Sequence, residues 1–129
     1  MAVRIVRFGE PRMPGEGLRL GTVRRPPRGV RKEEWAARDY FDVWLPDLAP
    51  SAELVSWATH EPWTPERWKR FAREYQREMR TPPAQRLLAL LAAMSRQTDF
   101  AVGCYCADPT RCHRSLLRAL LAKAGADIA

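Results

Sequence analysis

Asp99-Phe100-Ala101-Val102-Gly103-Cys104-Tyr105-Cys106 is the stretch whose reading decides the fold. Both alternating faces are largely apolar, the pattern of a strand covered on two sides. Upstream, Leu87, Leu88, Leu90, Leu91 and Met94 form a wide apolar helical face after Pro82-Pro83. Downstream, Asp108 is a helix cap, Pro109 suits a first helical position, and Leu116, Leu117, Leu120 and Leu121 supply a buried stripe. A strand between two helices is the pattern of a parallel βαβ unit, so residues 99–106 are expected to be a central strand of an α/β fold.

Further out, Val3–Phe8 and Leu18–Val23 read as strands, with a Gly- and Pro-rich loop between them. Tyr40–Leu45 suits a short strand or the lead-in to a turn at Pro46. Ser51 caps a short helix. Thr64, Pro65 and Glu66 start a longer one that carries Trp68, Phe71, Ala72, Tyr75 and Met79 at helical spacing. The aromatic stripe reads as core. No repeat or linker divides the chain, so residues 1–129 are expected to form one domain.

The length of 129 residues excludes a full barrel of eight βα units or a long repeat array. The longest unbroken apolar run, Leu87 to Met94, is far short of the roughly 20 residues a membrane span needs. The first residues alternate charge with apolar side chains and do not read as a signal peptide. A cytoplasmic protein with no membrane partner is the expectation. Three cysteines within nine residues are no disulfide framework; in a reducing compartment they point to a metal, a reactive thiol or packing.

The net charge is +7, and residues 1–34 hold nine basic and four acidic residues, +5 of that total. The densest part is Arg24-Arg25-Pro26-Pro27-Arg28-Gly29-Val30-Arg31-Lys32, which suits a solvated loop or a phosphate-binding rim. The preference for Arg over Lys, 19 to 3, reads as a base-composition effect of the genome.

Chemistry concentrates at the strand-to-helix junction Cys104-Tyr-Cys106-Ala-Asp-Pro-Thr-Arg111-Cys112-His113-Arg114. Ligands in parallel α/β folds bind beyond the carboxyl ends of strands, where helix N-termini favour anions. A thiol there, beside an imidazole and guanidinium groups, suits a nucleophile or an anion pocket. A zinc site remains a second reading, weakened because Cys112 and His113 on a helix would point about 100° apart. A phosphatase- or rhodanese-like loop is a third, lacking the glycines that wrap an anion. Packing alone is the fourth, and the preferred one for Cys104. His60, in a loop, is a capping residue or a base. Trp44, Trp57 and Trp63 read as core or pocket lining.

Taken together, these residues resemble the domain-of-unknown-function family 488 (DUF488), in its YeaO-like branch. The resemblance runs through Arg24, Pro27-Arg28-Gly29-Val30, Lys32-Glu33, Phe41-Asp42-Val43-Trp44-Leu45-Pro46 and Leu48-Ala49-Pro50-Ser51. It continues with Leu54, Trp57, His60, the Trp68–Phe71–Tyr75 helix and the ending Cys106, Cys112-His113-Arg114. Where the branch carries Asp-Arg-Leu-Trp, this chain has Val23-Arg24-Arg25-Pro26. The resemblance implies a compact α/β fold with a small Rossmann-like, mostly parallel sheet flanked by helices. It supplies no activity.

The leading expectation is an anion pocket walled by Arg24, Arg28, Cys106, His113 and Arg114, with His60 nearby. It would take a phosphate-bearing small molecule or a nucleotide. In an enzyme, Cys106 would be the nucleophile and His113 its proton partner, with Arg28 and Arg114 meeting at one anion. A nucleic-acid binder using the basic 24–32 segment is the alternative, and a non-catalytic interaction domain the third. No cofactor and no resident metal are expected.

Overall fold

Four parallel strands, β1 (Val3–Arg7), β2 (Leu18–Gly21), β3 (Val43–Trp44) and β4 (Phe100–Cys104), lie in the order β1-β4-β2-β3. The structure is a computed structural model that describes residues 1–129. All five residues of β4 are buried, and β1 and β2 flank it, so the expected central strand is there. Arg7 pairs with Cys104 and Leu20 with Val102, which brings the carboxyl ends of β1, β2 and β4 to one edge.

Close approach explains the glycine in this strand. A Cβ on Gly103 would lie 2.1 Å from the Val6 carbonyl oxygen, so any side chain there would push β1 away. Beyond β2, Thr22 continues the pairing through its side chain. Its hydroxyl donates to Gly103 O at 2.8 Å and accepts from Gly103 N–H at 3.2 Å. The strand expected over 18–23 therefore stops at Gly21, and the strand expected over 40–45 shrinks to Val43–Trp44 at the sheet edge.

Four helices follow: α1 (Ala52–Thr59), α2 (Pro65–Glu78), α3 (Pro82–Ser95) and α4 (His113–Lys123). Ser51 and Thr64 cap α1 and α2 by accepting the N–H of Leu54 and Arg67. The main core joins Leu54, Phe71, Tyr75, Leu88, Leu91, Leu117 and Leu121 of the helices to Val3, Leu20, Phe100 and Val102 of the sheet. The aromatic stripe of α2 is core, as its spacing indicates; buried Tyr75 donates its hydroxyl to Leu48 O at 2.8 Å.

Strand alternation sends Arg19 to the side opposite Leu20, where it is fully buried. Its guanidinium binds Glu16 at 2.5 Å and the carbonyls of Asp39 at 2.6 Å and Glu10 at 2.9 Å. A second core of Phe8, Val23, Trp35, Phe41, Cys104 and Cys112 reaches the carboxyl-end edge of the sheet.

The last helix departs from expectation. Asp108 accepts from the N–H and the hydroxyl of Thr110, which closes a separate 3-10 turn over Pro109–Arg111. The α-helix starts only at His113, with Cys112 as its extended N-cap at φ −141° and ψ 151°.

Candidate functional site

A cleft of about 550 Å³ opens at the carboxyl-end edge of the sheet. One wall is the Val23–Arg25 segment that leaves β2. The other is apolar: Val55 and Ala58 of α1, Trp63 from the following loop, and Phe71 of α2. Cys104, Cys106, Cys112 and His113 line it as well.

The three sulfurs come together for local reasons. Cys104 ends β4 and Cys106 lies two residues on, so strand alternation carries both to one side; their Sγ atoms are 3.6 Å apart. Cys112 joins because its extended conformation swings it out of the helical path. All three sulfurs lie within 4.8 Å of one another. Cys104 and Cys112 are buried, Cys106 is exposed, and all three are free thiols. The expectation that Cys112 and His113 diverge around a helix fails, because Cys112 precedes the helix.

His113 is buried and fixed at both ring nitrogens. Nε2 lies 2.6 Å from Thr22 O, a pure acceptor, so Nε2 carries a proton. Nδ1 faces Cys112 Sγ at 3.8 Å. His113 thus addresses Cys112, whereas the sequence paired it with Cys106. In the neutral ring Nδ1 is free to accept the Cys112 proton.

The thiols are unequal. Contacts from Cys104 and Cys106, then His113, hold the Cys112 thiol well below its ordinary range, against the effect of burial. The N-terminus of α4 acts in the same direction. Hydrogen bonding to Cys106 and Cys112, and then burial, push Cys104 far up. For Cys106 the Cys104 contact lowers the pKa, but the Cys112 contact and burial outweigh it and the net direction is up. Physically, the group carries one negative charge readily and resists a second.

Arg114 supplies the compensating cation. It is 5% exposed and has no carboxylate partner. One of its terminal nitrogens donates to Cys106 O at 2.5 Å, while its buried Nε has no acceptor. Neither Asp42 nor Asp108 reaches it: Asp42 binds Arg12 and the Arg19 N–H, and Asp108 is occupied by Thr110.

The family model described as "Active DUF488-N3 subclade" matches residues 3–125. The chain belongs to the DUF488 family. Among curated relatives of this DUF488 chain are the uncharacterized proteins Rv3073c and MT3158 of Mycobacterium tuberculosis (strains H37Rv and CDC 1551) and Mb3100c of Mycobacterium bovis. Each is 34% identical over 119 residues, which is 92% of this chain and 92% of the relative. No solved structure matches.

The remaining expected residues of this DUF488 domain fall in different places. Arg24 lines the cleft, but its guanidinium donates to the carbonyls of Pro50 at 2.8 Å, Pro46 at 3.2 Å and Ala49 at 3.3 Å. It ties the wall to the start of α1. Arg28 lies in a turn closed by Val30 N–H to Pro27 O, with Gly29 at φ +75°, and is exposed away from the cleft. Arg114 lines a separate small hollow with Arg118 and Thr110. Arg28 and Arg114 therefore share no cleft. The Pro27–Val30 turn faces Arg28 outward, and the hydrogen bond to Cys106 O holds Arg114 behind the thiols. His60 ends α1, exposed and off the cleft wall.

The cations at the cleft are instead Arg25, exposed, and Arg111, whose guanidinium lies 5.5 Å from the centre of the Trp68 ring. The sequence missed Arg25 because nothing in an Arg-Arg pair says which one binds carbonyls. Trp63 lines the cleft, as one reading of it had it, while Trp57 lies under Arg67 and Arg70.

Proposed function

We propose that the cleft binds a small anionic molecule with a flat apolar body, of the phosphate-bearing or nucleotide class, and that Cys106 is the thiol that reacts with it. One observation carries the reading. The exposed thiol of three clustered cysteines faces a cleft with apolar walls and with Arg25 and Arg111 at its edge. The apolar wall suits a ring, and the two guanidinium groups suit its phosphate.

In this reading Cys112, beside His113 Nδ1 at the start of α4, carries the one negative charge of the group, and its sulfur takes the Cys106 proton as Cys106 reacts. His113 is held in place for this by its hydrogen bond to Thr22 O. The Cys106 sulfur then bonds to the electrophilic centre of the ligand, and the leaving group departs with its electron pair and takes a proton. Arg114, buried without a carboxylate, balances the anionic sulfur. The family description "active" supports an enzyme over an inert domain. We also place the chain in the YeaO-like branch, on Pro27-Arg28-Gly29-Val30 and Phe41-Asp42-Val43-Trp44-Leu45-Pro46, and in the cytoplasm, where three free thiols persist.

The test is alkylation of the chelator-treated, reduced chain by iodoacetamide, read by mass spectrometry with and without inorganic phosphate. The expected result is preferential labelling at Cys106, slowed several-fold by phosphate and lost in Cys106→Ser. Labelling at the rate of an ordinary thiol and indifferent to phosphate overturns the proposal. So does salt-dependent binding of a single-stranded oligonucleotide that survives alkylation, which would assign the basic segment as a nucleic-acid clamp.

A further inference from the structure

The three thiols meet a second chemical description, independent of whether Cys106 is a nucleophile. The donor atoms that converge here are all sulfur, with no carboxylate among them. A purely thiol donor set selects thiophilic cations over magnesium or calcium. The spacing fits as well. With metal–sulfur bonds of about 2.3 Å, the edge of a tetrahedral site is about 3.8 Å. Cys104 and Cys106 already stand 3.6 Å apart, and the third sulfur lies within 4.8 Å of both.

The site is also built into the frame. Cys104 is fixed by the central strand, and Cys112 is fixed as the N-cap of α4. Only Cys106 sits on exposed chain, and its carbonyl is held by Arg114. All three line the cleft, so a cation held by them has one side turned to it.

Charge gives the independent observation. Arg114 is more than nine-tenths buried, lacks a carboxylate, and leaves its buried Nε without an acceptor. Three thiolates and one divalent cation sum to a single negative charge, which the guanidinium neutralises. A buried cation without such a partner is costly.

We propose that Cys104, Cys106 and Cys112 form a three-thiolate site for a thiophilic divalent cation of the zinc class, with its fourth coordination position open to the cleft. Loading exchanges the thiol protons for the cation, and the protons leave to water. The cation occupies the sulfur electron pair that a nucleophile would use. The loaded and thiol-reactive forms are therefore alternatives of one site. The expectation of no resident metal rested on an unfamiliar ligand spacing and on a helical Cys112, and the extended N-cap removes the second of these reasons.

The test uses the full chain, reduced and stripped with a chelator. Cadmium is titrated in while sulfur-to-metal charge-transfer absorbance is followed, and zinc affinity is measured by competition with a chromophoric chelator. The expected result is one ion per chain and a charge-transfer band. Cys112→Ser and Cys106→Ser should each weaken zinc by more than the roughly 10–100-fold typical of outer-shell changes. Arg114→Met should weaken it by about 10-fold, within that range. Cys106 is exposed, so its variant keeps the test open if Cys112→Ser fails to fold. Absence of the band at saturating cadmium overturns the inference, as does one-to-one zinc binding that both serine variants retain. Either outcome leaves the phosphate-protected alkylation of the stripped chain standing or falling by itself.

Discussion

Two arginines of this domain are buried to nearly the same degree, Arg19 at 1% and Arg114 at 5% exposure, yet they are treated in opposite ways. Arg19 meets the Glu16 carboxylate and the carbonyls of Glu10, Pro11 and Asp39, so its charge and its hydrogen-bonding groups are both answered locally. Arg114 meets one carbonyl, that of Cys106, and no acid. The first arrangement holds a fold together: it fastens the loop between β1 and β2, and the segment before β3, to the back of the sheet. The second leaves positive charge beside Cys106. A buried cation that is not neutralised by its own scaffold is the mark of a site that expects negative charge from a thiolate, a ligand or both.

The largest expected effect breaks the comparison from the structural side. Arg19→Met leaves Glu16 buried without a partner and several carbonyls without donors. Loss of one member of a buried pair costs about 3–5 kcal/mol. Arg114→Met removes one charge-assisted hydrogen bond while relieving a buried charge, and should cost only about 1 kcal/mol. Urea denaturation of both variants measures the difference. If Arg114→Met proves the more destabilising, Arg114 is a structural residue and the contrast collapses.

A smaller effect sharpens the contrast through pH. Burial alone would raise the Glu16 carboxyl, but hydrogen bonds from Arg19 and the Met13 N–H outweigh it and hold the group below its ordinary value of 4.5. A carboxylate depressed in the folded state adds stability that is present above the unfolded value. That stability is lost as pH falls from about 4.5 through the lower folded value. Glu16→Gln should therefore be less stable than the parent near neutral pH, and the gap should narrow on acidification through that window. A constant gap from pH 7 to pH 3 would show that the carboxylate charge plays no part.

Much of this was readable in the sequence, and the reasons differ by region. Central placement of Phe100–Cys104 followed from an apolar run between two helical patterns, a property of the chain itself. The caps at Ser51 and Thr64 were readable because the interaction spans three residues. The candidate site was readable only in part: the fold brings Cys106, His113 and Arg114 to one junction, while Arg28 and His60 lie off the cleft and Arg25 was not singled out. The partner of His113 depends on Cys112 being extended, which in turn depends on Asp108 choosing a local turn with Thr110. The Arg19 pair was missed altogether. The ligation of one guanidinium by Glu10, Pro11, Glu16 and Asp39 is set by how two loops fold over the sheet, and no periodicity reports it.

The smallest expected effect concerns an arginine that belongs to neither class. Arg28 is exposed at a turn, makes no ion pair, and lies off the cleft. Pro27 and Gly29 set the turn through their backbones, and the turn hydrogen bond uses Pro27 O and Val30 N–H, so the side chain has no part in it. Arg28→Ala should leave stability within about 0.5 kcal/mol of the parent, the usual range for surface changes. Phosphate protection of Cys106 should also be unchanged, since Arg25 and Arg111 are the cations at the cleft. Oligonucleotide binding is the discriminating measurement. If the basic turn clamps a nucleic-acid backbone, Arg28→Ala should weaken that binding uniformly across sequences and lower the salt slope by about 1. A change in phosphate protection would instead mean that the turn closes over the cleft in solution. Arg28 would then join Arg25 and Arg111 as a ligand-binding cation, and the division of the arginines into scaffold and site would have to be redrawn around a moving loop.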